Sequence, residues 1–213
     1  MQFSKHTLRL YAVTDGQQAA EFPIEKKVEE ALLGGATLIQ LREKALTGNR
    51  LLLHAKAVKA VCDRFGVPLI INDNVELALA SGAAGVHLGQ QDMPPAQARA
   101  LLGPDKIIGV SARTVEQALR AQAEGADYLG CGAVFATSTK QDARALPHDT
   151  LRQICRAVTI PVVAIGGITR DNALALKGAG IAGIAVVSAV FGQPNIRDAA
   201  ETLRRIADQI AEG

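Results

Sequence analysis

Short aliphatic runs alternate along this chain with Ala/Leu-rich amphipathic stretches, and the alternation continues from end to end. Residues 8–15 (LRLYAVTD) read as a strand, and 24–35 (IEKKVEEALLGG) as a helix stopped by glycine. Strands at 36–43, 67–73, 84–89 and 106–111 are followed by helices at 49–66, 74–82, 94–103 and 113–125. Strands at 126–132, 160–167 and 182–188 are followed by helices at 148–158, 169–180 and 195–210. The strands are nearly continuous runs of Val, Ile, Leu and Ala, as in parallel sheets covered on both faces. Alternating strands and helices imply βαβ units. Eight such units in 213 residues predict a single-domain (β/α)₈ TIM barrel over residues 1–213. A doubly wound open sheet is the alternative, but VTDGQQ after the first strand carries no GxGxxG.

Composition narrows the function classes. The chain is 48% apolar and 21% charged, with a net charge of +2 and no concentrated basic stripe, which excludes a typical nucleic-acid surface. The longest apolar run, IAGIAVVSAVF, is well short of the ~18–20 residues of a membrane span. Three widely spaced cysteines, Cys62, Cys131 and Cys155, form neither a CxxC nor a metal-ligand spacing. With no apolar signal core in residues 1–10, they predict structural thiols in a reducing cytoplasm. The sequence sets no oligomeric state.

In a barrel of this kind the chemistry sits at the C-terminal ends of the strands. The residues there form a polar ring. Gly166 and Gly167 in VVAIGGIT follow the seventh strand, and Ser188 follows the eighth. Glycines there let backbone amides approach an oxyanion, and loops seven and eight of such barrels often bind phosphate. The alternative is a tight turn and nothing more. Thr137, Ser138 and Thr139 would add hydroxyl donors to the same pocket, and Lys140 follows them directly. Gln40, Arg42 and Lys44 alternate in QLREK, so an extended segment puts them on one side, facing either an anion or solvent.

Asp73 and Asp92 follow neighbouring strands. Taken singly, each reads as a cap for the helix after it. Taken together beside cations, they suggest Mg²⁺, which favours one or two carboxylates plus phosphate oxygens. His87 alternates with Val86 and Leu88 and so turns toward the barrel mouth, either as a satisfied core residue or as a site residue. Ser111 has no His/Asp arrangement near it in sequence and reads as a hydrogen-bond donor rather than a nucleophile.

Taken in order, QLREK, LIINDNVELALASGAAGVHLGQQD, IIGVSART, GCGAVFATSTKQDA and VVAIGGIT resemble the thiamine phosphate synthase (thiamin-phosphate pyrophosphorylase) family across nearly the whole chain. That resemblance implies small-molecule substrates. It implies an enzyme joining 4-amino-2-methyl-5-hydroxymethylpyrimidine diphosphate to a thiazole phosphate, with pyrophosphate released. Gln40, Leu41, Arg42, Glu43, Lys44, Asn72, Ser111 and Lys140 match its pyrimidine diphosphate contacts. Asp73 and Asp92 match its Mg²⁺ ligands, and Thr137, Ser138, Thr139, Gly167, Val187 and Ser188 its thiazole phosphate contacts. Arg42, Lys44, Ser111 and Lys140 would carry the catalysis. Two other functions fit a similar pocket: a thiazole tautomerase, and a barrel that binds thiamine phosphates without turning them over.

Overall fold

The computed structural model describes residues 3–16, 23–137 and 145–212. Eight parallel strands close into a barrel in sequence order, the first pairing with the last. They are β1 Leu10–Val13, β2 Leu38–Leu41, β3 Leu69–Asn72, β4 Gly85–Leu88, β5 Ile107–Ala112, β6 Tyr128–Gly132, β7 Val162–Ile165 and β8 Gly183–Val186. The described helices around them are α1 Ile24–Leu33, α2 Gly48–Arg64, α3 Val75–Ser81, α4 Pro95–Leu102, α5 Val115–Ala123, α6 His148–Ala157, α7 Ser188–Phe191 and α8 Ile196–Ala211. The expected (β/α)₈ architecture is therefore present. No described helix is long and apolar enough to cross a membrane.

Strand alternation builds two cores. Outward residues such as Leu10, Ile39, Val86, Ile108 and Leu129 pack against the helices, with Val28, Val58, Leu203 and Ile210 on the facing side. Inward residues Tyr11, Leu38, Ile70, Tyr128, Val163 and Ala185 fill the barrel. Each buried aliphatic side chain contributes about 1.5–3 kcal/mol. Local signals set the helix starts. Asn74, Thr114 and Asn195 accept hydrogen bonds from the first-turn amides of α3, α5 and α8. Gly82 ends α3 in the left-handed conformation, at φ 71°.

The seventh unit departs from expectation. Residues 169–180 do not form a full helix but only a 3₁₀ turn, Ala173–Leu176. Asn172 spends its side chain on the preceding loop, donating to the Gly167 carbonyl (2.9 Å) and accepting from Thr169 N (2.8 Å). Gly178 and Gly180 then take φ values of +77° and +82°, which end any helical run.

Candidate active site

The barrel mouth opens into a cavity of about 720 Å³ at the C-terminal ends of the strands. Gln40, Arg42, Asn72, His87 and Ser111 line one arc of it, from β2 to β5. Thr137, Gly166, Gly167, Val187 and Ser188 line the other, beyond β6, β7 and β8. These predicted strand-end residues thus meet in one space, whereas Asp73 and Asp92 are not among the residues that line it. Thr14 positions Arg42: its Oγ1 accepts from Arg42 N at 3.0 Å, joining the ends of β1 and β2. The Arg42 guanidinium stands 3.9 Å from Asp15, an ion pair too long for a hydrogen bond.

Three other expected site residues do not line the cavity. Leu41 is 2% exposed and packs into the outer core, because alternation turns it away when Gln40 faces in. Lys44 does not line the cavity: β2 ends at Leu41, so the strand alternation no longer governs it, and it is solvent-exposed. Glu43 also lies off the cavity, its Oε1 accepting from Ala45 N at 2.7 Å. Ser138, Thr139 and Lys140 lie outside the described residues.

The two aspartates are not caps. Asn74 caps α3, and Pro94 precedes α4. Asp73 instead sits at φ 62°, an uncommon conformation for a residue with a side chain, and its amide donates to the His87 carbonyl at 2.8 Å. Asn72 Nδ2 donates to Asp73 Oδ2 at 2.6 Å, and Gly89 N to Asp92 Oδ2 at 2.6 Å. Although Asp73 as a residue is exposed, partial burial of its carboxyl raises its pKa to about 6, reinforced by the hydrogen bond and charge of Asp92. Asn72 and the Arg42 charge oppose the rise. Two carboxylates thus face one another at the rim. Among the described residues no group of three His, Cys, Asp or Glu side chains could hold a metal.

The other arc is built from backbone. Gly166 (φ 99°) and Gly167 (φ 66°) turn the chain after β7. The loop after β6 lies against this turn: Phe135 N donates to the Gly166 carbonyl at 3.0 Å, and Val134 N to the Ile165 carbonyl at 3.0 Å. A Cβ on Gly167 would collide with the Ala136 carbonyl oxygen. Ser188 opens the short α7, exposed on the rim.

Beneath the mouth lies a polar network that the sequence reading did not assemble. His87 Nε2 is 3.0 Å from Ser111 Oγ, and His87 Nδ1 is 3.0 Å from the Tyr128 hydroxyl. Tyr128 meets the Tyr11 hydroxyl at 2.8 Å, and Gln40 Nε2 donates to Tyr11 at 2.5 Å. The available signal was that the chain has two tyrosines, each in a segment that reads as a buried strand. A buried phenol needs a partner. The cysteines offer no nucleophile: burial pushes the thiols of Cys62 and Cys131 up to about 12 and that of Cys155 to about 11.

Comparison with known proteins agrees with the barrel fold. The chain is 52% identical over 203 residues to a thiamine-phosphate synthase of Ruminiclostridium cellulolyticum, covering 95% of this chain and 97% of that protein. It is 48% identical to the Clostridium tetani thiamine-phosphate synthase over 194 residues, covering 91% and 93%. A thiamine phosphate pyrophosphorylase structure from Pyrococcus furiosus superposes with a TM-score of 0.89 at 42% identity, covering 97% of this chain and 98% of that one. A family model described as thiamine monophosphate synthase matches residues 10–190. The chain belongs to the thiamine monophosphate synthase family and is a transferase.

Proposed function

We propose that the chain joins 4-amino-2-methyl-5-hydroxymethylpyrimidine diphosphate to thiazole phosphate, giving thiamine phosphate and pyrophosphate with Mg²⁺ as activator; from a carboxylated thiazole phosphate CO₂ is released as well. One observation carries this reading. A single cavity has two arcs suited to anions, side-chain donors with Arg42 on one and the Gly166–Gly167 backbone with Ser188 on the other. Two phosphorylated substrates held there would bring a thiazole nitrogen against a pyrimidine methylene. Such orientation is worth at most ~7–11 kcal/mol of the barrier.

Asp73 and Asp92 fit Mg²⁺. Burial raises the Asp73 carboxyl most and the hydrogen bond and charge of Asp92 add to it, so a cation beside the pair would be favoured; two carboxylates leave the remaining coordination to phosphate oxygens and water. Bound there, Mg²⁺ would supply positive charge against the leaving pyrophosphate. Arg42 would do the same from the protein side: its side chain makes no hydrogen bond to another described residue, so its planar fork is open to phosphate oxygens. Asn72 would hold Asp73 in place while facing the same anion. Pyrophosphate would leave with the electron pair of the methylene C–O bond. The thiazole nitrogen lone pair would form the new C–N bond, with no covalent protein intermediate.

The test is a pyrophosphate-release assay with the purified chain, both substrates and Mg²⁺, with each component omitted in turn. Pyrophosphate appearing only with all three supports the reading. Conversion of the thiazole alone, with no pyrophosphate, would make the chain a tautomerase. Binding without turnover would make it a thiamine-phosphate-binding barrel.

A further inference from the structure

The network beneath the mouth runs without a gap from Gln40 through Tyr11, Tyr128 and His87 to Ser111. Its four contacts each need one hydrogen. Gln40 Nε2 only donates, which sets a direction at that end. Tyr11, having accepted from Gln40, gives its hydrogen to Tyr128, and Tyr128 gives its own to His87 Nδ1. A neutral imidazole then carries its hydrogen on Nε2 and gives it to Ser111 Oγ. Each contact is filled once, and the Ser111 hydrogen remains, pointing to the cavity that Ser111 lines.

We infer that Gln40, Tyr11, Tyr128 and His87 form a one-way hydrogen-bond chain that fixes Ser111 as a donor toward the substrate. His87 is a positioning residue in this scheme. The His87–Ser111 pair superficially resembles a base and its nucleophile, but the direction is opposite: the imidazole donates to the serine. That Ser111 meets a lone-pair-bearing atom of the pyrimidine substrate rests on the function proposed above; the direction of the chain does not.

The surroundings are built for this line. Tyr11 and Tyr128 are 1% and 0% exposed, so water does not compete for their hydroxyls. Burial raises both phenols well above their ordinary range, so each keeps its hydrogen. Gly109 on β5 makes room for the Tyr128 ring, since a Cβ there would collide with its Cζ. Gly130 on β6 does so for His87, whose Cε1 would lie 3.0 Å from an added Cβ. The Tyr11 and Tyr128 rings meet edge-on, at 73° and 5.9 Å between centroids.

The test is the tautomer of His87 in the full-length resting protein, read by ¹⁵N NMR of histidine-labelled protein and assigned with a His87→Gln variant. The expected result is a pyridine-like Nδ1 and a protonated Nε2. A protonated Nδ1, or a mixture of both forms, would overturn the chain's direction. Gln40→Glu replaces the donor with an acceptor and should reverse the line, moving the hydrogen to Nδ1. An unchanged tautomer in that variant would also overturn it. Tyr128→Phe cuts the line and should mix the tautomers while lowering kcat/KM by about 2–10-fold. A Tyr128→Phe protein that kept the wild-type tautomer would show that Tyr128 does not set it. The NMR result needs no turnover, so failure of the proposed function and failure of the chain are distinguishable.

Discussion

Asp73 and Asp92 face each other at the rim of the barrel mouth, and the hydrogen bond and charge of Asp92 help hold the Asp73 carboxyl up at about 6. An unfolded aspartate titrates near ~3.9. The folded state therefore binds the extra proton between those values. The resulting stability is fully present below pH ~4 and is lost as pH rises through about 6. At pH 7.5 the metal-free protein holds the partly buried Asp73 carboxylate close to Asp92, and Asp73→Asn should raise its melting temperature there. The exposure of Asp73 limits the gain to under about 1 kcal/mol, or at most about 2–4 °C. At pH 4 the variant and parent should melt together. Calorimetry in EDTA at both pH values checks this.

The same proton competes with a cation. The Mg²⁺ concentration giving half-maximal activity should rise as pH falls below about 6. Asp92→Asn should remove most turnover at any Mg²⁺ concentration while leaving thiazole phosphate binding intact. Activity titrations from pH 5 to 8 give the first result, and calorimetric binding gives the second. Full activity of Asp92→Asn in EDTA would refute the metal assignment.

Gly167 and Gly178 form a matched pair. Both have positive φ, 66° and 77°. A Cβ at 167 would strike the backbone of residues 135 and 136, while one at 178 meets nothing within 4 Å. Gly178→Ala should cost about 1–2 kcal/mol of stability and leave kinetics unchanged. Gly167→Ala should cost more and raise the KM for thiazole phosphate at least tenfold, because the loop after β6 must move. Denaturant melts with steady-state kinetics separate the two.

The two arcs should also separate by mutation. Ser188→Asp puts a negative charge on the rim beside the Gly166–Gly167 turn and should weaken thiazole phosphate selectively. Arg42→Lys keeps the charge but loses the fork, and should lower kcat/KM for the pyrimidine diphosphate by about tenfold or more. If each variant impaired both substrates equally, the division of the cavity would be wrong.

The barrel and most of its mouth were legible because burial on both faces of a parallel strand leaves an unmistakable apolar run, and the polar residue that ends it marks the mouth. Alternation also placed His87 in the cavity. The same rule turns the side chain of Leu41, which family resemblance alone had included, away from the cavity. The seventh helix was misjudged because Ala and Leu at 173–176 suit a helix, whereas Asn172 and the glycines at 178 and 180 act against one. The caps were misassigned for a similar reason: Asp73, Asn74 and Asp92 are all competent caps, but Asn74 takes α3 with its own side chain and Asp92 accepts from Gly89 N instead of capping α4. The Tyr11–Tyr128 contact spans 117 residues and depends on space left by Gly109, so no local pattern reveals it.

If the mouth acts mainly by stabilising departing pyrophosphate, positive charge should build on the pyrimidine methylene before the thiazole attacks. Replacing the pyrimidine methyl group with trifluoromethyl withdraws electrons from that centre with little change of shape. The single-turnover rate with this substrate should fall by several orders of magnitude while binding survives, each tenfold loss corresponding to about 1.4 kcal/mol of barrier. A rate within about tenfold of the normal substrate, with the chemical step shown to be rate-limiting, would mean that attack and departure are concerted and that the site does not work by stabilising the leaving group.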